Sequence, residues 1–188
     1  MSYAILENAV NDAVSNIPDI WKNSVFKVLA HAHSDYRGKF GEKLLNDLLK
    51  KSGFKIRWDE DKNTNASDGI YDLFVNGYRV EVKTSFENKN GGFQHENIYK
   101  ERVWDKLALI DIEPFTIFIT ILNFDDMTFN IPHPVFNRTP CLRDNHKSGC
   151  KFDLGKSNLK NGVKAGITYR WDIKDEKGLR KFLTEKFS

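Results

Sequence analysis

Three side chains near the middle of this 188-residue chain have the types and spacing for chemistry on a phosphate group: Asp72, Glu81 and Lys83. Asn76-Gly77 lies between the two acids, and both residues tolerate the positive φ that a two-residue hairpin turn demands. Residues 70–75 and 78–84 therefore read as paired strands. With Val75 facing Tyr78, Asp72 falls opposite Glu81, and Lys83 shares a face with Glu81 because side chains alternate along a strand. Facing carboxylates repel unless something cationic lies between them. A divalent ion is the economical answer: Mg²⁺ takes one or two carboxylates together with waters and substrate phosphate oxygens, and the Val82 carbonyl is a further oxygen at the same place. Mn²⁺ accepts the same ligands and is expected to substitute. The competing reading is a surface hairpin on which Lys83 merely screens the two acids.

The segment YDLF around Asp72, eight intervening residues and then Glu81-Val82-Lys83 resemble the motif of the PD-(D/E)XK nuclease superfamily, the restriction-endonuclease-like proteins. Upstream, Glu42 in GKFGEKLL occupies the place where that superfamily often adds a glutamate from a helix. The resemblance runs in order over residues 36–131. Tyr71 stands where the motif has proline, which leaves Asp68 as a rival first acid, although SDG reads as turn chemistry. The resemblance implies an α/β fold in which a central mixed β-sheet is flanked by helices. It also implies a Mg²⁺-dependent endonuclease, a small type II restriction enzyme that cuts double-stranded DNA as a homodimer. Asp72 and Glu81 would hold the ion. Lys83 would orient a water or stabilise transition-state charge, and Glu42 would complete a second metal position or orient water. Two rival functions are a structure-specific repair, recombination or phage nuclease, and a catalytically silent DNA-binding protein of the same fold.

Beyond the hairpin, Gln94 and His95 follow a glycine-bearing loop, ENKNGGFQHEN, where a side chain could touch DNA or orient a metal-bound water. Charge is concentrated further on. Residues 138–170 hold eight Lys/Arg and two acids, a net of +6 in a chain of net +3, so the remainder carries −3. Arg143, Lys147, Lys151, Lys156, Lys160 and Lys164 in this Gly-, Asn- and Ser-rich stretch would follow a phosphate backbone, each neutralised phosphate releasing counterions; a solvated loop is the plainer alternative. A small zinc site can be drawn from His133, Cys141, His146 and Cys150, but the spacing is not that of a standard finger and incidental placement is favoured. His31 and His33 read as helix-end polar residues, and Trp104 as core.

These candidates need a scaffold, and the pattern supplies one. Residues 36–51 have a helical stripe (Phe40, Leu44, Leu45, Leu48, Leu49) ending in Lys50, Lys51 and Gly53. Residues 4–15 and 20–32 suggest a helical preface, 54–58 a short strand, 59–68 a polar loop, and 115–122 a buried strand that 127–131 would join. Residues 94–112 fit helix and strand equally well. Leu179, Phe182, Leu183 and Phe187 mark a C-terminal helix.

The expected organisation is one domain over 1–188: preface 1–35, catalytic core 36–131, and a basic DNA-contacting segment with the C-terminal helix over 132–188. At 40% apolar residues, this length buries a core without a metal or disulfide. No run of about 18 apolar residues occurs, and Glu7 and Asp12 stand where a signal peptide would be apolar. A cytoplasmic protein with reduced cysteines and no membrane partner is expected.

Overall fold

The computed structural model describes residues 19–58, 71–142, 149–172 and 174–188. Among the described residues, the first regular element is a single helical turn, α1 (Lys27–Ala30). The longer helix expected over 20–32 does not form, because Ser24 diverts the backbone. Its hydroxyl accepts the Phe26 N–H at 3.0 Å and donates to the Pro114 carbonyl at 2.6 Å, competing with the helical ladder. The long helix α2 (Ser34–Lys51) then begins with His33 as its cap, Nδ1 accepting the Asp35 N–H, and ends before Gly53 at φ +93°. Leu45 and Leu49 on its inner face are fully buried. The preface helix over 4–15 and the loop carrying Asp68 lie outside the described residues.

Strands follow in the order β1 (Ile56–Trp58), β2 (Leu73–Val75), β3 (Tyr78–Phe86), β4 (Gly92–Ile98), β5 (Lys106–Ile112), β6 (Ile117–Asn123), β7 (Cys141–Leu142), β8 (Cys150–Gly155) and β9 (Thr168–Trp171). Helix α3 (Lys156–Lys164) sits between β8 and β9, and α4 (Glu176–Phe187) closes the chain. The central sheet has six strands in the order β1-β2-β3-β5-β6-β9, and β4-β8-β7 form a second, smaller sheet. Within the central sheet, β3 and β5 pair in parallel and the other neighbours antiparallel, so the sheet is mixed, as expected.

The two faces of the central sheet fill two cores. Val82, Ala108, Ile110, Ile119 and Ile121 pack with Leu45 and Leu49 of α2 and with Leu179, Phe182, Leu183 and Phe187 of α4. On the other face, Leu107, Leu109, Phe118 and Leu122 meet Phe93, Phe152 and Leu154 of the small sheet, together with Phe136 and Leu159. Strand β5 is buried at every position, which resolves the ambiguity of 94–112: a strand covered on both faces shows no alternation. Trp104 is fully buried, its Nε1–H donating to the Tyr99 carbonyl.

Two further expectations are corrected. Residues 127–131 do not pair with β6, whose edges are taken by β5 and β9. The chain turns away through a 3₁₀ turn (Phe124–Asp126), with the Asn123 side chain donating to Asp126 Oδ2 at 2.9 Å. Nor is the basic stretch a solvated loop throughout. Phe152 and Leu154 alternate into the core as β8, Leu159 anchors α3, and β9 completes the central sheet.

Candidate active site

The hairpin turn has Asn76 at φ +48° and Gly77 at φ +96°, and Val75 pairs with Tyr78, the register expected from sequence. Pairing between β2 and β3 reaches only to Leu73 and Val80, whereas β3 continues alongside β5 to Phe86. From Glu81 onward, then, one edge of β3 has no strand beside it among the described residues. Asp72 sits where β2 leaves. Its N–H donates to the Val80 carbonyl at 3.0 Å, and its Oδ2 accepts the Val82 N–H at 2.8 Å. The N–H and C=O of one strand residue lie on the same edge, so the Val82 carbonyl faces this side too.

Beside that edge lies a cavity of about 820 Å³, lined by Glu42, Asp72, Glu81, Val82 and Lys83. Glu81 is buried, and its Oε1 lies 2.5 Å from Lys83 Nζ. The amine thus compensates a carboxylate that would be costly to bury alone. Glu42 reaches the same cavity from α2, and Gly41 shows how closely that helix approaches: a Cβ there would overlap Thr84 Oγ1 on β3. Only a residue without a side chain lets α2 lie so near the strand.

Among the described residues, no group of three or more His, Cys, Asp or Glu side chains is arranged to hold a metal ion. The donor set fits Mg²⁺ through its chemistry: one or two carboxylates and a carbonyl, hard oxygens throughout, with room for waters. Asp72, Glu81 and the Val82 carbonyl are the groups that would hold it.

Gln94 is exposed on β4 and lines the cavity, its backbone N–H donating to Ser85 Oγ at 2.9 Å. His95 requires a correction. Its ring is buried, with Nδ1 2.9 Å from the Phe152 carbonyl and Nε2 2.8 Å from Asp111 Oδ1, so neither nitrogen is left for DNA or a metal-bound water. A carbonyl only accepts, so Nδ1 carries a proton; Nε2 and Asp111 then share a second one. The Asp111 carboxylate and the Phe152 carbonyl raise the His95 pKa in spite of burial, which is the largest influence and acts the other way.

Of the basic candidates among the described residues, Lys151, Lys156, Lys160 and Lys164, none lines the cavity. Lys151 pairs with Asp153 at 2.9 Å and Glu96 at 3.9 Å, and Lys156 with Glu87 at 2.6 Å and Glu113 at 3.3 Å, so both serve ion pairs within the fold. Lys160 and Lys164 are exposed one turn apart on α3, while Arg143 and Lys147 lie outside the described residues. Among the described residues, the Lys and Arg side chains that line the cavity are Arg37 and Lys39, together with Lys83. Sequence reasoning passed over the first two, although they precede Glu42 on the same helix.

The zinc candidates stand apart in character. Cys150 is buried, which pushes its thiol up to about 12, whereas Cys141 is exposed and donates to the Thr139 carbonyl. His133 is buried against Phe136 and Phe152, its Nδ1 accepting the N–H groups of Val135 and Phe136, and burial lowers its pKa. His146 is outside the described residues.

No protein-family model matches the chain, and no curated protein matches it. Among solved structures, a bacterial homing endonuclease, I-Ssp6803I, aligns with a TM-score of 0.38 and 16% identity over 50% of this chain and 71% of that one. The functional reading rests on the side chains rather than on that likeness. Among the described residues no helix is long and apolar enough to cross a membrane.

Proposed function

We propose that this chain is a Mg²⁺-dependent endonuclease that hydrolyses phosphodiester bonds of double-stranded DNA, in the manner of a sequence-specific type II restriction enzyme working as a homodimer. One observation carries the reading: Asp72, Glu81, Lys83 and Glu42 line a single cavity along the open edge of β3. A bound ion would supply polarisation of the phosphate and acidification of a water. Asp72 and Glu81 would anchor it with the Val82 carbonyl. Lys83, already against Glu81, places positive charge where the equatorial phosphate oxygens gather negative charge. Glu42 orients the attacking water from the helix side. Arg37 and Lys39 take the flanking phosphates, and Lys160 and Lys164 extend that contact along the duplex.

The deciding experiment incubates the purified protein with mixed-sequence duplex DNA in Mg²⁺, in Mn²⁺ and in chelator, and maps the product ends. Discrete plasmid fragments that require the metal support the proposal. Cutting confined to nicked or branched DNA points instead to a structure-specific enzyme. Absence of cutting with either ion across a broad panel overturns the nuclease reading. Sedimentation with and without a palindromic duplex tests the dimer, since a two-fold site matches a two-fold enzyme.

A further inference from the structure

We infer that β4 is the base-reading strand and that Gln94 and Asn97 select duplexes containing adenine near the cut; the inference rests on the nuclease reading above. Both side chains belong to residues that are exposed and line the same cavity as Asp72 and Glu81. Asn97 holds its position by unusual means. The pairing of β4 with β8 breaks between His95 and Ile98, and within that break Asn97 takes φ +57°. A bulge of this kind re-aims a side chain, and such bulges recur beside active sites. Gly149 accommodates it: a Cβ at that position would come 2.7 Å from the Asn97 Cα.

The chemistry of the two amides chooses the base. Each offers one donor and one acceptor on a planar group, the complement of N6–H and N7 on adenine, whereas guanine is read by Arg or Lys. Strand β4 (GFQHENI) has neither cation. Glu96, the acid between the two amides, is drawn towards Lys151. Strands of a β-sheet can enter the major groove, where adenine is distinguishable from every other base, and β4 is the edge strand of the small sheet.

Reading requires a fixed distance to the chemistry, and β4 is fastened to the catalytic sheet. Its Gln94 N–H is held by Ser85 Oγ, and His95 bridges to Asp111 on β5. Ser85 lies four residues beyond Glu81 on β3, so the reading strand meets the catalytic one about 13 Å from the acid. At about 3.4 Å per base step, the selected adenines fall within about four base pairs of the scissile bond.

The test is a binding selection. The full chain, held in chelator so that no cutting intervenes, is incubated with a randomised duplex library, and the retained DNA is sequenced. Adenine should be enriched by about 5- to 150-fold at two positions. Asn97→Ala and Gln94→Ala should each erase one of them. Gly149→Ala, which disturbs only the seat of the bulge, should weaken the Asn97 position alone; a thermal melt of each variant establishes that it folds. A bound pool without adenine enrichment, enrichment that survives both amide variants, or no duplex retained at all overturns the inference. Selective retention by a protein that never cuts in Mg²⁺ or Mn²⁺ would sink the nuclease reading and leave the reading strand standing.

Discussion

The face of the central sheet turned towards α2 and α4 is filled mainly by aliphatic and aromatic side chains, with the Lys106 amine lying over the Phe187 ring at one end. The face turned towards the small sheet encloses polar groups, among them His95 with Asp111, and the core beneath it packs around His133. The two fillings do different work. Shape alone locates α2, because close-packed hydrocarbons and the missing side chain of Gly41 determine how near the helix lies to β3. Directional bonds locate β4, because a slip of its register would strip His95 of both partners and leave Asp111 buried without its cation. One side of the site is therefore sensitive to volume and the other to protons.

That contrast can be broken in four places. The largest effect is expected at His95→Ala, which strands a buried carboxylate and should lower stability by ~3–5 kcal/mol in urea unfolding. The double variant with Asp111→Ala should recover much of the loss, and a strictly additive result would mean that the pair does not hold β4. Next comes Asp72→Asn. Its amide oxygen still accepts the Val82 N–H, so folding should change little, but DNA cleavage should fall by ~10²-fold or more, equivalent to about 3 kcal/mol of barrier. A wild-type cleavage rate in this variant would refute the role given to its charge.

Gly41→Ala should cost about 1–3 kcal/mol through overpacking against Thr84, visible as a lowered melting temperature. Adding Thr84→Ala should relieve part of it. Smallest are the pH effects, which run in opposite directions on the two buried histidines. Burial disfavours the charged ring of His133, so its folded value lies below the ordinary 6.5. The unfolded chain then binds more protons below that pH, and stability falls as pH drops. His95 lies above 6.5 when folded, so its contribution is complete below that pH and disappears as pH rises through the folded value. Urea midpoints across pH should lose their acid slope in His133→Gln and their slope above neutrality in His95→Gln. Unchanged slopes in both would remove the proton-sensitive side of the comparison.

Local signals were legible in the sequence and remote ones were not. Lys50, Lys51 and Gly53 announce the end of α2, and Asn76-Gly77 sets the hairpin register with Val75 facing Tyr78, because each depends on neighbours a few residues away. The mixed sheet flanked by helices was what the family resemblance implied, and the strand order agrees with it. Strand β5 escaped because cover on both faces erases its period. The fate of His95 depends on Asp111 in another sheet, and the part played by Arg37 and Lys39 depends on how closely Gly41 lets α2 approach. The basic segment misled by composition: its glycines, asparagines and serines resemble a loop, yet Phe152, Leu154 and Leu159 draw it into the core.

The way Asp72 closes the Val82 amide has a consequence beyond hydrolysis. An uncovered strand border invites a passing chain to stitch itself on, and sheet proteins guard such borders with charge or with early termination of a neighbour. Here the same carboxylate plugs a donor on the border while Glu81 and Lys83 stand along it. Removing that plug, as Asp72→Ala would and Asp72→Asn would not, exposes the border to intermolecular assembly, so the two replacements should part company in colloidal behaviour even where both abolish turnover.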